Sequence, residues 1–164
     1  MEITHLGSGS RGNATLLQTD EAKVLIDCGF SGRQMERRLG QIGVDPKSVD
    51  AIVLSHHHTD HGQGAEIFHK RHGAKLFANF TTCAHLGLDP VNQCRIFESL
   101  ERVQVAPGLS ALPVPVPHDG AENVGFIINS GTDQRAAIVT DLGEPTDELI
   151  QHLKGCAHIS IESN

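Results

Sequence analysis

The first part of the chain alternates short apolar and polar runs, a pattern typical of half-buried strands. It predicts strands over residues 2–6, 14–19 and 23–27, with the glycine- and serine-rich stretch 7–12 as the turn between the first two. Residues 50–55 form a short apolar run bounded by polar residues, which predicts a buried strand. A further strand is predicted over residues 75–78.

Apolar residues at helical spacing separate these strands. Ser31 is the expected N-cap of a helix with Met35, Arg38, Leu39 and Ile42 on one face, and Gly43 is expected to end it. By the same reasoning, further helices are predicted over residues 65–72, 81–86 and 146–153.

From about residue 95 the pattern returns to strands, which are predicted over residues 109–116, 124–129, 136–140 and 157–161. The segment 109–116 contains Pro113 and Pro115, so we expect an edge or irregular strand, because proline has no N–H for a sheet ladder. Strands alternate with helices, and neither repeats nor a linker interrupts them. The sequence therefore predicts an α/β layered fold in a single domain over residues 1–164.

Composition limits the classes of function. The 164 residues contain no apolar run near the ~20 residues of a membrane-spanning helix, and the first residues do not form a signal peptide. We therefore expect a cytoplasmic protein that does not bind membranes. None of the four cysteines is paired at Cys-x-x-Cys spacing, so we expect small buried thiols. The net charge of −7 argues against a surface that coats nucleic acid, but a nuclease remains open because bound cations add positive charge.

Residues 54–64, LSHHHTDHGQG, contain the main chemical signal. One interpretation is a histidine-rich surface loop; the other is a metal site of the form His-x-His-x-Asp-His. His56 and His58 are two apart at the end of a predicted strand, so both imidazoles can face one ion while His57 points elsewhere. Asp60 and His61 follow where the loop turns into a helix, and they can serve a second ion. We favour the metal site, with Zn²⁺ as the expected ion and Mn²⁺ or Fe²⁺ as alternatives.

The segment from Ser55 to Gly62, after an apolar strand, resembles the signature of the metallo-β-lactamase superfamily. Other segments resemble motifs of the same superfamily: LIDCG at 25–29, PHD at 117–119 with VGF at 124–126, and VTDLG at 139–143. The opening LGSGSRGNA at 6–14 and the closing IESN at 161–164 resemble its YycJ/WalJ-like branch, which is similar to the tRNase Z and phosphodiesterase branches. The resemblance implies an αββα sandwich.

The resemblance also implies a ligand set. The first metal would take His56, His58 and His118, and the second would take Asp60 and His61, with Asp141 bridging the two. From the residues alone, His118 is typical of a polar turn and Asp141 of a helix cap. The resemblance changes both interpretations.

Three further roles are expected around these ligands. Asp60 is the residue expected to orient the attacking water or to accept its proton. Asp27 is expected to support a ligand histidine by a hydrogen bond. Asn13 is expected either to face the site or to belong only to the turn.

The sequence departs from the family pattern at its end. In the family pattern, the stretch that resembles residues 162–164 is followed by a further portion of chain. That portion contains a Gly-His-Leu-Ser segment and the last histidine ligand of the second metal. We therefore expect the second half of the sandwich to be incomplete, with one tight metal site and a second, weaker one. We also expect an uncovered C-terminal edge that favours self-association.

The expected function is hydrolysis of nucleic-acid phosphodiester bonds, exonuclease-like, by a metal-activated hydroxide. The isolated chain is expected to be weakly active or inactive. A hydrolase of small esters or cyclic phosphodiesters is one alternative. A truncated, non-catalytic metal-binding domain is the other, and fold alone does not decide between them.

Overall fold

Two β-sheets pack face to face and helices cover the outer face of each, in a computed structural model that describes residues 1–117, 122–131 and 133–163. The αββα architecture expected from the sequence is thereby confirmed. His118, one of the expected ligands, lies outside the described residues.

The first sheet has six strands in the order in which they occur in the chain. They are β1 (Glu2–Gly7), β2 (Ala14–Gln18), β3 (Lys23–Ile26), β4 (Ala51–Val53), β5 (Lys75–Ala78) and β6 (Cys94–Ile96). β1, β2 and β3 are antiparallel, whereas β3 through β6 run parallel to one another. The carboxyl ends of these parallel strands therefore meet at one edge, where the loops that follow β3, β4 and β5 converge.

The second sheet has five strands in the order β11–β10–β9–β8–β7. They are β7 (Val103–Ala106), β8 (Leu109–Pro115), β9 (Val124–Ser130), β10 (Gln134–Leu142) and β11 (His158–Ser163). β7 through β10 are antiparallel to their neighbours, and β11 joins β10 in parallel.

Five α-helices and one short 3₁₀ helix (Pro46–Ser48) connect the strands in the described residues. The α-helices are α1 (Gly32–Gln41), α2 (Thr59–Gly62), α3 (Ala65–His72), α4 (Phe80–His85) and α5 (Asp147–Leu153). α1 begins after Ser31, whose side chain forms a capping box with Gln34. α3 ends at Gly73, which adopts φ 81°, a left-handed conformation that glycine reaches without steric cost.

Three apolar layers follow from the alternation of side chains along the strands. Val24, Val53 and Phe77 of the first sheet meet Phe126 and Ile138 of the second in the central layer. On the other face of the first sheet, Leu25, Ile52 and Leu76 pack with Met35 and Leu39 of α1 and with Phe68 of α3. The outer face of the second sheet packs Ile127, Ala137 and Val139 against Leu149 of α5. The first sheet is therefore apolar on both faces, as expected of parallel strands covered by helices.

The prediction of an edge strand at 109–116 needs correction, because β8 lies between β7 and β9. Its β7 partners reach only Leu109, Ser110 and Ala111. Pro113 and Pro115 therefore lie where β8 pairs with β9 alone, so the missing N–H groups face no second partner strand.

Two further predictions can be compared with the structure. The thiols of Cys28, Cys83 and Cys94 are buried and Cys156 is partly buried, and all four are free. No helix among the described residues combines the length and apolar character needed to cross a membrane.

Candidate metal centre

The histidine loop, residues 55–64, leaves β4 at the carboxyl edge of the parallel strands and is held by its backbone between two other loops. Asn13 N–H donates to the Asp60 carbonyl (2.7 Å), and Cys28 N–H donates to the His61 carbonyl (2.7 Å). Gly64 N–H donates in turn to the Cys28 carbonyl (2.9 Å). The loops after β1 and β3 thus fix the histidine loop through main-chain hydrogen bonds.

Two glycines permit this close packing. A Cβ on Gly29 would lie 1.6 Å from the Asp60 carbonyl oxygen, and one on Gly64 would lie 2.0 Å from the Phe30 carbonyl oxygen. Both contacts are with backbone atoms, which cannot move aside as a flexible side chain can. Glycine is therefore required at both positions for the loops to approach one another.

Three side chains converge at the mouth of this loop. His56, His58 and Asp141 each offer one ligand atom, and these atoms all lie within 4.8 Å of one another. Nε2 of His56 is 3.3 Å from Oδ2 of Asp141, and the rings of His56 and His58 are 4.5 Å apart between centroids. His56 and Asp141 are buried and His58 is half-buried, so the group opens to solvent on the His58 side.

A second pair of predicted ligands lies beside this group. Nε2 of His61 is 3.0 Å from Oδ2 of Asp141 and 3.8 Å from Oδ2 of Asp60. The same Asp141 oxygen therefore lies near both His56 and His61, which is the position that a bridging carboxylate requires. Asp60 is the more exposed of the two carboxylates, with 30% of its side chain accessible.

Asp27 organises the base of the site through both carboxylate oxygens. Oδ1 accepts the backbone N–H of Ser55 (2.8 Å), and Oδ2 accepts the Ser55 hydroxyl (2.9 Å) and Nδ1–H of His61 (2.8 Å). Because the Ser55 hydroxyl donates to Asp27, it can accept Nδ1–H of His56 at 3.0 Å. Both buried histidines are thus held with Nδ1 protonated and Nε2 directed at the site, which is the arrangement that ligand histidines need.

Ser55 is a functional residue that the sequence reasoning missed. It was included in the motif but given no role. A serine directly before the first histidine, with an aspartate at the end of the neighbouring parallel strand, is the signal that could have identified it.

The pKa values of the two buried histidines, His56 and His61, shift in opposite directions. Burial lowers the pKa of His56 to about 4, and the neighbouring His61 reinforces the shift. Burial also opposes protonation of His61, but the charge and hydrogen bond of Asp27, with the charges of Asp141 and Asp60, outweigh it and raise its pKa to about 9. Three carboxylates around one imidazole favour a positive charge there, which either a proton or a divalent cation supplies.

Asp27 and Asp141 both adopt backbone conformations that are unusual for a residue with a side chain. Asp27 has φ 61° and Asp141 has φ 51°. Asp141 also lies where the register between β10 and β11 shifts, between Val139 and Leu142. Bulges and left-handed residues re-aim side chains at functional sites, and here they direct two carboxylates toward His61.

Asn13 faces the site as well as its turn. Its Oδ1 accepts the backbone N–H of Gly9 (2.8 Å), and its Nδ2 lies 2.9 Å from Nε2 of His61. Of the two alternatives for Asn13, this geometry agrees with the one in which it faces the site, because its side chain contacts His61 as well as its own turn.

The residues present fit a divalent cation. Neutral imidazole Nε2 atoms with carboxylate oxygens form the donor set that zinc and other first-row divalent ions prefer. The structure brings five of the six expected ligands into one cluster: His56, His58, Asp60, His61 and Asp141. Within it, Asp141 lies beside both His56 and His61.

Comparison with known proteins gives the family. The sequence profile of the metallo-beta-lactamase superfamily matches residues 7–153. The chain belongs to the metallo-β-lactamase superfamily. The resemblance drawn from its motifs is thereby confirmed, and a divalent metal site at this position is what the superfamily fold implies.

Two curated relatives that match nearly the whole chain are exodeoxyribonucleases by name. Exodeoxyribonuclease YycJ of Bacillus anthracis is 31% identical over 100% of this chain and 63% of its own length. Exodeoxyribonuclease WalJ of Streptococcus pneumoniae is 30% identical over 97% of this chain and 61% of its own length. The chain therefore spans less than two thirds of the length of these relatives.

Solved structures support the fold assignment. A diphosphatase from the PhnP family superposes with a TM-score of 0.74 and 24% identity, covering 96% of this chain and 71% of that one. A HARLDQ-motif mutant of a metallo-β-lactamase from Cronobacter sakazakii superposes with a TM-score of 0.71 and 17% identity, covering 92% of this chain and 64% of that one. At these identities the likeness concerns the fold alone.

Two further histidines of this chain are not candidate ligands and stack on each other. His57 stacks on His85 of α4, with ring centroids 4.2 Å apart and an interplanar angle of 25°. From the sequence, His57 is expected to point away from the ion, and His85 is assigned no role. The fold brings His85 beside the histidine loop although the two are far apart in sequence.

Proposed function

We propose that this chain hydrolyses phosphodiester bonds of nucleic acids with the help of a divalent cation, in the manner of an exonuclease. The observation that carries the proposal is the convergence of His56, His58 and Asp141, with His61 beside them, in a chain whose full length aligns with nucleases. A nucleic-acid substrate, Zn²⁺ as the resident ion and a cytoplasmic location all belong to this proposal, with Mn²⁺ or Fe²⁺ as alternatives to zinc.

The two proposed metal sites differ in the number of ligands that each would have. His56, His58 and Asp141, completed by His118, would hold one ion tightly. Asp60 and His61, sharing Asp141, would hold a second ion more weakly, because fewer ligands fill its coordination shell. When bound, the cation would lower the pKa of water toward ~7 and polarise the phosphoryl oxygen.

The protein's own residues would then perform three tasks. Ser55 and Asp27 fix the tautomers of His56 and His61, so that Nε2 of each faces the substrate side of the site. Asp60, the partly exposed carboxylate, would orient the attacking water and accept its proton. Until the second ion binds, Asn13 would hold His61 from the opposite loop, because its Nδ2–H donates to the Nε2 lone pair that the ion would take.

The test is cleavage of end-labelled single- and double-stranded DNA with Mn²⁺, Mg²⁺ or Zn²⁺, beside hydrolysis of bis(4-nitrophenyl) phosphate. We expect slow, metal-dependent removal of nucleotides from one end, abolished in His58→Ala and retained in His152→Ala, which removes a histidine of α5. Turnover of the small diester without any DNA cleavage would replace the proposal by a small-molecule hydrolase. Metal binding without either activity would replace it by a non-catalytic metal-binding domain.

A further inference from the structure

A row of three aromatic rings leads out of the metal-binding group. His58 is one of the converging ligands, and its ring centroid is 5.0 Å from that of His57. His57 stacks in turn on His85 at 4.2 Å. We refer to His58, His57 and His85 as the histidine ladder. Its inner ring belongs to the site, and its outer ring is exposed to solvent.

The outer ring is held in a fixed orientation. Nδ1–H of His85 donates to the Thr81 carbonyl one helical turn back, at 2.8 Å. α4 is itself anchored, because Asn79 caps it by accepting Thr82 N–H at 2.7 Å and Cys83 is buried beneath it. An exposed ring that is fixed by a hydrogen bond and by a stack loses little entropy when a further ring is added to it.

The chain has few other aromatic surfaces. It contains no Trp or Tyr, and five of its six Phe side chains are buried: Phe30, Phe68, Phe77, Phe97 and Phe126. Phe80 is 63% exposed, but among the described residues it makes no ring contact with the ladder. A plain surface stack of two histidines would account for the geometry. The contact between His57 and His58 follows from their being adjacent in the sequence, so the contact that depends on the fold is the stack of His57 on His85, which places an exposed, fixed ring two rings from a candidate ligand.

We propose that the open face of His85 stacks on an unpaired nucleobase of the substrate strand, next to the phosphodiester held at the metal-binding group. This inference rests on the proposed nucleic-acid function and names the part of the substrate that the site recognises. Base–aromatic stacking tolerates any base, because every base has a π face. The histidine ladder would therefore bind the end of the strand without preference for its sequence, while the histidine and carboxylate group acts on the phosphate.

The experiment compares two nuclease-resistant, phosphorothioate-linked single strands that differ only at the terminal nucleotide. One has 2-aminopurine there and the other has an abasic site. Binding is measured by fluorescence anisotropy, and stacking by quenching of 2-aminopurine. The variants are His85→Ala, His85→Phe, which keeps an aromatic ring, and Phe80→Ala, which removes the exposed ring of the same helix. Because positions 80 and 85 are exposed, we expect all variants to fold, and thermal melting confirms this.

We expect His85→Ala to bind the 2-aminopurine strand roughly ten-fold more weakly, with loss of quenching, and to bind the abasic strand as the wild type does. His85→Phe restores both signals and Phe80→Ala changes neither. Equal affinity of wild type and His85→Ala for the base-bearing strand, or an equal loss on the abasic strand, overturns the stacking role and leaves the nuclease proposal standing. A loss in Phe80→Ala alone overturns it in favour of the other ring. A wild type that binds neither strand overturns both proposals.

Discussion

The carboxylate of Asp27 accepts Nδ1–H of His61 at 2.8 Å, a contact between two side chains that are 34 positions apart and both fully buried. It joins the end of β3 to the histidine loop after β4, two parallel strands whose carboxyl ends are adjacent. Because the same carboxylate also holds Ser55, the orientation of both buried histidines depends on one aspartate.

Asp27→Asn is expected to weaken metal binding by about 10–100-fold, because a supporting carboxylate of a ligand histidine typically contributes that much. The amide keeps the shape but removes the charge that offsets the burial of His61. Affinity is measured by competition with a chromogenic chelator. Asp20→Asn, which removes a carboxylate from an exposed turn, is the matched control and should leave the affinity unchanged. Equal affinities in both variants would show that Asp27 only supports the fold.

Gly29→Ala is expected to lower the free energy of unfolding by roughly 1–3 kcal/mol or more, because its Cβ would overlap the Asp60 carbonyl. Gly40→Ala is the control within α1, since a Cβ there meets no atom within 4 Å. It should raise stability by about 0.4–1 kcal/mol, because alanine restricts the unfolded chain. Urea denaturation measures both changes. A neutral Gly29→Ala would mean that the two loops are not in contact in solution.

Self-association is expected through β11, which pairs with β10 alone among the described strands. Ile159 and Ile161 lie on one face of this edge strand and are each 45% exposed. Exposed apolar edge strands pair with other chains unless charged residues interrupt them. Ile161→Lys should therefore shift the protein toward monomer in sedimentation velocity runs over a wide concentration range. A wild type that is monomeric at every concentration would contradict this.

Local patterns predicted most elements of the fold. α3 and β5 were predicted at the residues where they occur, because each is bounded by a glycine or by polar residues and has a clear apolar period. β6, β7 and the 3₁₀ helix at Pro46–Ser48 were not predicted. β7 has only four residues, too few for an alternation to be distinguished from chance, and it is stabilised by pairing with β8.

The site was predictable only in part, because its components lie on distant segments. The spacing of His56, His58, Asp60 and His61 gave the histidine loop, whereas Asp141 depended on the family resemblance. No local pattern predicts the left-handed backbone of Asp141 or the stack between His57 and His85. Both depend on tertiary contacts: the bulge in β10 and the position of α4 beside the loop.

Elemental metal content per chain, measured on purified wild type beside His58→Ala, tests the central claim most directly. His58 is one of the three converging donors, and because its ring is only half-buried, its removal leaves no cavity in the core. The account predicts at least one divalent ion per wild-type chain and its loss in His58→Ala, with His152→Ala retaining it. A wild type that binds no ion even after zinc or manganese is added, or a His58→Ala variant that binds as much as wild type, would contradict the assignment of this cluster as the metal centre.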